Sequence, residues 1–153
     1  MIDRHRRNLS CAPVDNECQP RCWSHLAPLA SSLNTQVCGV GNSPRAYYHH
    51  RHSIGLFLLD VLRTRLRYPD WENDRKFNGY WSNPGGPCVL FKPKTYVNTI
   101  GRPISKAFAR FQSEHRNGRL CVIYDDLELP VGTAKLQSRG RGRLGFPAGT
   151  VSC

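Results

Sequence analysis

Between His52 and Leu66 the apolar residues Ile54, Phe57, Leu58, Val61, Leu62 and Leu66 recur at spacings of three and four. That period predicts one apolar face of an α-helix. Arg63, Arg65 and Arg67 gather at its carboxyl end, where the helix dipole favours cations, and Pro69 and Asp70 close it. A second helix is predicted over Pro103 to Phe111, because proline is tolerated in a first turn. Around the helices the pattern turns strand-like. Val37 to Val40 is an apolar run entering a turn of Gly41, Asn42, Ser43 and Pro44. Phe77 to Trp81 and Pro87 to Phe91 flank Asn83-Pro84-Gly85-Gly86, a hairpin-type loop. Leu120 to Tyr124 reads as a buried strand ending at Asp125-Asp126, and a last short strand is expected around Thr133 to Leu136. Strands alternating with helices imply an α/β fold.

The two ends of the chain lack such periods. Residues 1–33 carry Pro13, Pro20 and Pro28 among scattered polar residues, and are expected to be a disordered or unrelated extension. Asp3, Asp15 and Glu17 interrupt the arginines there, which makes a poor organellar transit peptide. Residues 137–153, with the run Ser138-Arg-Gly-Arg-Gly-Arg143, are expected to form an irregular basic tail that completes no sheet. One α/β unit over residues 34–136 remains between them.

Charge changes this picture more than length does. Lys and Arg number 22 against 11 Asp and Glu, a formal +11. A basic excess of that size favours a polyanionic partner, nucleic acid first, over a merely solvated surface. No apolar run approaches the length of a membrane span. The seven cysteines follow neither a disulfide nor a zinc spacing. Cys38, Cys88 and Cys121 sit inside apolar strand-like runs and read as small buried hydrophobes, so a reducing compartment and no structural metal are expected.

Candidate chemistry concentrates where the first strand gives way to the first helix. Asn42, Tyr47 and His52 fall within eleven residues there. Open α/β folds place their sites at such junctions, and histidine exchanges protons near neutral pH. Other readings of these residues are weaker. A metal site from His49, His50 and His52 has no matching carboxylate or cysteine pattern. Asp125 and Asp126 could be a magnesium pair or plain turn residues, and Asn42 a turn former. A nucleotide loop at Gly39-x-Gly41 lacks its third glycine and its acidic partner.

The blocks Gly41-Asn42-x-x-x-x-Tyr47, Arg51-His52-Ser53-Ile54-Gly55, Lys76-Phe77-Asn78-Gly79, Lys92-Pro93-x-Thr95-Tyr96-Val97-Asn98, Gly101-Arg102 and Asp125-Asp126-Leu127-Glu128-Leu129-Pro130-x-Gly132 follow in order. Together they resemble the bacterial-type peptidyl-tRNA hydrolases over roughly Val37 to Leu136. The resemblance implies a mixed twisted β-sheet flanked by helices. It also implies cleavage of the ester between a peptidyl group and the tRNA 3′ end, without cofactor or metal. The family's catalytic His falls on His52, its orienting carboxylate on Asp125 and its turn Asn on Asn42. Its substrate-contacting residues fall on Tyr47, Tyr96 and Asn98.

These residue types suit ester hydrolysis. A neutral imidazole can take a proton from water, a carboxylate on the other ring nitrogen fixes the tautomer, and Asn amides can donate to a developing oxyanion. Tyrosines can stack on a terminal nucleotide. The implied partner is the acceptor stem of peptidyl-tRNA, bound by a monomer in the cytoplasm or a mitochondrion. Rival readings are a non-catalytic RNA-binding protein on the same fold, and a fragment acting through interactions.

The chain departs from the family at several places. Ser53 stands where Asn is usual, Val97 where Met is usual, and the turn after Asn42 reads Ser43-Pro44-Arg45. The family's later Gly-His-Asn-Gly-Leu motif is absent from the 153 residues. A C-terminally truncated member with part of the fold missing and impaired activity is therefore expected.

Overall fold

The computed structural model describes residues 9–10, 34–43, 50–130, 133–137 and 150–152. In chain order these form β1 (Leu9–Ser10), β2 (Thr35–Gly39), a 3-10 turn (Arg51–Ser53) running into α1 (Ile54–Arg65), β3 (Glu72–Asp74), β4 (Gly79–Ser82) and β5 (Cys88–Pro93). A second 3-10 turn (Val97–Thr99), α2 (Gly101–Glu114), β6 (Arg119–Tyr124), β7 (Thr133–Gln137) and β8 (Thr150–Ser152) follow. The strands make one mixed sheet in the order β1-β7-β8-β6-β2-β5-β4-β3. Its centre is parallel: β2 pairs with both β5 and β6, and β8 pairs with β6. The β3, β4 and β7 strands add antiparallel flanks.

The central strands are apolar on both faces because a helix covers each one. In β5, Val89 and Phe91 meet the α2 side, while Cys88 and Leu90 meet the α1 side. In β6, Leu120 and Val122 join Ile104, Ala107, Phe108 and Phe111 of α2, whereas Cys121 and Ile123 join Leu59 and Leu62 of α1. Each strand thus splits its continuous apolar run between two cores by the two-residue alternation of the pleat. The first connection, through α1, carries the chain from β2 to β5. The second, through α2, returns on the opposite face to β6. The carboxyl ends of β2 and β5 therefore form a switch point of the sheet, the kind of place where open α/β folds bind ligands.

Two local devices seat α1. Its carboxyl end closes before Pro69: the Tyr68 N–H bonds to the Arg63 carbonyl at 2.9 Å and the Arg67 N–H to the Thr64 carbonyl at 3.1 Å. Arg67 takes a left-handed φ of 54° to make this cap. At the amino end, Gly55 lies against backbone. A Cβ there would meet the Ile123 carbonyl oxygen and lie 2.5 Å from that of Val40.

The structure differs from the sequence reading at both ends and at one edge. The expected irregular tail supplies β8, whose Val151 pairs with Ile123 and Leu136. Leu9 of the expected extension pairs with Ala134. The third difference is β3, a polar strand read as no element, held by Glu72, Asn73 and Asp74 opposite Trp81, Tyr80 and Gly79. All three cases are two- or three-residue segments joined to a neighbour by backbone hydrogen bonds, which need no apolar period.

Cys38, Cys88 and Cys121 are buried, as their apolar surroundings in the chain suggest. Burial pushes the Cys38 and Cys88 thiols above their ordinary range, partly countered at Cys38 by the Gln36 amide 3.2 Å away. Desolvation likewise raises the Tyr68 phenol, helped by neighbouring Cys88. These groups are held neutral in the fold but ionise in the unfolded chain, so their stabilising contribution is complete below the unfolded values and drains away as pH rises above about 9. The melting temperature under reducing conditions is expected to fall between about pH 8 and about pH 10. Tyr68 adds to the fall only above about pH 10, where an unfolded tyrosine ionises, so Tyr68→Phe should flatten the fall there, and an equally steep fall in the variant would remove Tyr68 from the account.

Candidate active site

His52 sits in the 3-10 turn between β2 and α1, and Asp125 is the first residue beyond β6. Because β2 and β6 are parallel neighbours, both residues emerge at the same sheet edge. The His52 Nδ1 lies 2.7 Å from Asp125 Oδ2 although 73 positions separate them. The His52 side chain is 56% exposed and that of Asp125 only 11%. An ionised carboxylate only accepts, so in the neutral ring the proton sits on Nδ1 and the lone pair on Nε2.

Asn42 follows β2 and points across the switch point. Its Oδ1 accepts the Val97 N–H at 2.9 Å. That bond orients the amide, leaving the Nδ2 hydrogens to donate elsewhere. It also ties the turn after β2 to the 3-10 turn that carries Asn98, which is exposed, as is Tyr96 at 56%. Ser53 is fully buried and its hydroxyl donates to the Asn42 carbonyl at 3.3 Å. Nothing in the sequence marks this hydroxyl as functional, yet it joins the residue after His52 to Asn42. Tyr47 lies outside the described residues.

The two adjacent carboxylates diverge. Asp125 faces His52, whereas Asp126 Oδ1 accepts the Glu128 N–H at 3.0 Å in a local turn. They do not form the paired magnesium ligands considered above. Among the described residues no three His, Cys, Asp or Glu side chains converge on a possible metal position; His49 lies outside them. Arg51, the residue before His52, has a bond of its own to the neighbouring turn. Its guanidinium donates to the Asp126 carbonyl at 2.9 Å.

Comparison with known proteins connects this geometry to a family. Residues 36–145 match the family model described as peptidyl-tRNA hydrolase. The chain belongs to the peptidyl-tRNA hydrolase family. The match continues beyond Leu136, where the resemblance in the sequence ended, to residue 145. The peptidyl-tRNA hydrolase of Sorangium cellulosum is 35% identical over 107 residues, which cover 68% of this chain and 46% of that protein. The peptidyl-tRNA hydrolase of Oceanobacillus iheyensis is also 35% identical, over 108 residues covering 68% of this chain and 55% of that protein. The chain thus spans about half the length of the curated relatives it matches. The crystal structure of peptidyl-tRNA hydrolase from Acinetobacter baumannii superposes with a TM-score of 0.64 at 22% identity, covering 80% of this chain and 69% of that one. That likeness establishes the shared α/β fold. No described helix is long and apolar enough to cross a membrane.

Proposed function

We propose that this chain acts as a peptidyl-tRNA hydrolase, cleaving the ester between a peptidyl group and the 3′ end of tRNA, with His52 as general base. The observation that carries this reading is the 2.7 Å His52–Asp125 pair at the carboxyl ends of β2 and β6. The exposed Nε2 takes a proton from water as the water oxygen attacks the ester carbonyl. Asp125 holds the ring and stabilises the imidazolium that forms. The Asn42 amide donates toward the oxyanion of the tetrahedral intermediate or orients the ester carbonyl. When the carbon–oxygen bond to the ribose breaks, the imidazolium returns its proton to the departing 3′ oxygen. Carboxylate and free tRNA are the products. Asn98, Tyr96 and Tyr47 contact the terminal nucleotide or the peptide. An RNA-binding protein without activity would need the basic surface but would have no use for a carboxylate-held histidine. The substrate places the activity where translation occurs, in the cytoplasm or a mitochondrion.

The test is turnover of a tRNA carrying an N-blocked aminoacyl ester, with the His52→Ala chain as background and circular dichroism to show that both are folded. Release above that background supports the reading; equal rates in two folded chains overturn it. Binding provides a separate check. With a formal charge of +11, affinity for a tRNA acceptor stem is expected to drop at least about tenfold between about 50 and about 200 mM salt, because phosphate contacts release counterions. Level affinity across that range would rule out a phosphate-dominated complex.

A further inference from the structure

We propose that Arg51 is a positioning residue for the His52–Asp125 pair: it clamps the turn carrying the histidine to the turn carrying the carboxylate. The proposal rests on the reading of His52 as the base and deepens it. The Asp125 side chain is only 11% exposed, but the His52 ring has little around it and the Asp125 backbone lies past the end of its strand. His52 is more than half exposed, so packing gives its ring little support. Asp125 lies one residue beyond Tyr124, where the β6 pairing with β8 ends, so no described ladder bond fixes its backbone. A single hydrogen bond to so exposed a ring permits rotation about itself.

The arrangement around Arg51 supplies the missing constraint. On one side, the Ser53 N–H bonds to the His50 carbonyl at 2.8 Å and closes the 3-10 turn. On the other, Asp126 organises its own turn. Its Oδ1 accepts the Glu128 N–H at 3.0 Å and its carbonyl accepts the Leu129 N–H at 3.3 Å. The same carbonyl also accepts the Arg51 Nη2 at 2.9 Å. Two small closed turns are therefore joined by two bonds from consecutive residues, Arg51 to Asp126 and His52 to Asp125. Two attachment points set both distance and orientation, where one sets distance alone.

The charge of Arg51 does not account for its place. A cation held this near the pair, on the residue next to His52, opposes the imidazolium that general-base catalysis creates, so an electrostatic role alone would slow the reaction. The benefit lies in the hydrogen bond, and the planar, pre-organised fork of arginine suits it better than a flexible ammonium.

This difference in sign makes the proposal testable. The experiment compares the folded wild-type, Arg51→Met and Arg51→Lys chains, with Asp125→Asn as the reference for a lost pair. Nitrogen NMR of the His52 ring reads the tautomer independently of activity. The wild type is expected in the Nδ1–H form, Arg51→Met in a mixture approaching the Asp125→Asn spectrum, and Arg51→Lys between them. On blocked aminoacyl-tRNA, Arg51→Met should lower kcat by roughly ten- to a hundredfold with KM little changed, as for a small misplacement of a catalytic group. An unchanged tautomer, or a raised kcat, in Arg51→Met overturns the clamp. Arg51 is exposed, so Arg51→Met is expected to fold. If it does not, Arg51→Lys alone decides, a wild-type tautomer and rate in that variant counting against the fork. Should His52→Ala hydrolyse as fast as the wild type, the hydrolase reading fails while the tautomer still decides the role of Arg51.

Discussion

Replacing His52 with alanine is expected to reduce ester cleavage on blocked aminoacyl-tRNA by about 10² to 10⁴, the usual contribution of a positioned general base. The loss should appear in kcat, because the ring acts on water. Affinity for tRNA, set by the basic surface, should stay near the wild-type value. Asp125→Asn should bring a loss of the same order. It keeps the size of the side chain but removes the charge that stabilises the imidazolium, and its amide can donate to the ring and select the wrong tautomer. The double variant should be little worse than either single one, because the two residues act as a unit. Single-turnover rates across the four chains measure this directly. Losses that multiply would mean that His52 and Asp125 work separately, whatever their 2.7 Å approach.

Gly55→Ala is expected to have the largest effect on the fold. The added Cβ would lie 2.5 Å from the Val40 carbonyl oxygen, 2.6 Å from the Val40 nitrogen, and against the Ile123 carbonyl oxygen. All three are backbone atoms of the central sheet or the residue directly after it, so none can rotate away. Helix α1 must shift outward as a body, at a cost of roughly 1 to 3 kcal/mol or more for an overpacked site. The shift also carries His52 away from Asp125, because the 3-10 turn runs directly into α1. Urea unfolding should show a lower midpoint with an unchanged slope, and the His52 ring should lose its fixed tautomer. Gly86→Ala is the control. A Cβ there meets only Pro84 Cγ at 3.9 Å, so stability should stay within about 0.5 kcal/mol. If Gly55→Ala unfolds at the wild-type midpoint, close backbone contact is not what seats α1.

Much of the architecture was legible because the signals are local. The spacing of Ile54, Phe57, Leu58, Val61, Leu62 and Leu66 announces a helix between His52 and Leu66, and α1 fills Ile54 to Arg65 of that stretch, with a 3-10 turn before it. The runs at Cys88 to Phe91 and Leu120 to Tyr124 are apolar without interruption, as strands covered on both faces must be. The Asn83 to Gly86 loop does join antiparallel neighbours, β4 and β5. Helix α2 was less well bounded. Its amphipathic core was visible from Pro103 to Phe111, but the helix extends from Gly101 to Glu114 because backbone bonds continue where apolar residues stop.

The chain's own order of residues therefore determined its helices, its buried strands and the blocks that mark its family. Tertiary structure decided what those elements bring together. Only the parallel placement of β6 beside β2 puts Asp125 against His52 and the Asp126 carbonyl against Arg51. The bond from Val97 to Asn42 likewise joins turns 55 positions apart at the switch point. Which residues of β5 and β6 face α1 and which face α2 was also settled there, since a one-residue slip exchanges the two faces without changing the apolar run. The strands β3 and β8 exist because exposed backbone groups on neighbouring strands needed partners, and a run of three residues carries no period from which that pairing can be read.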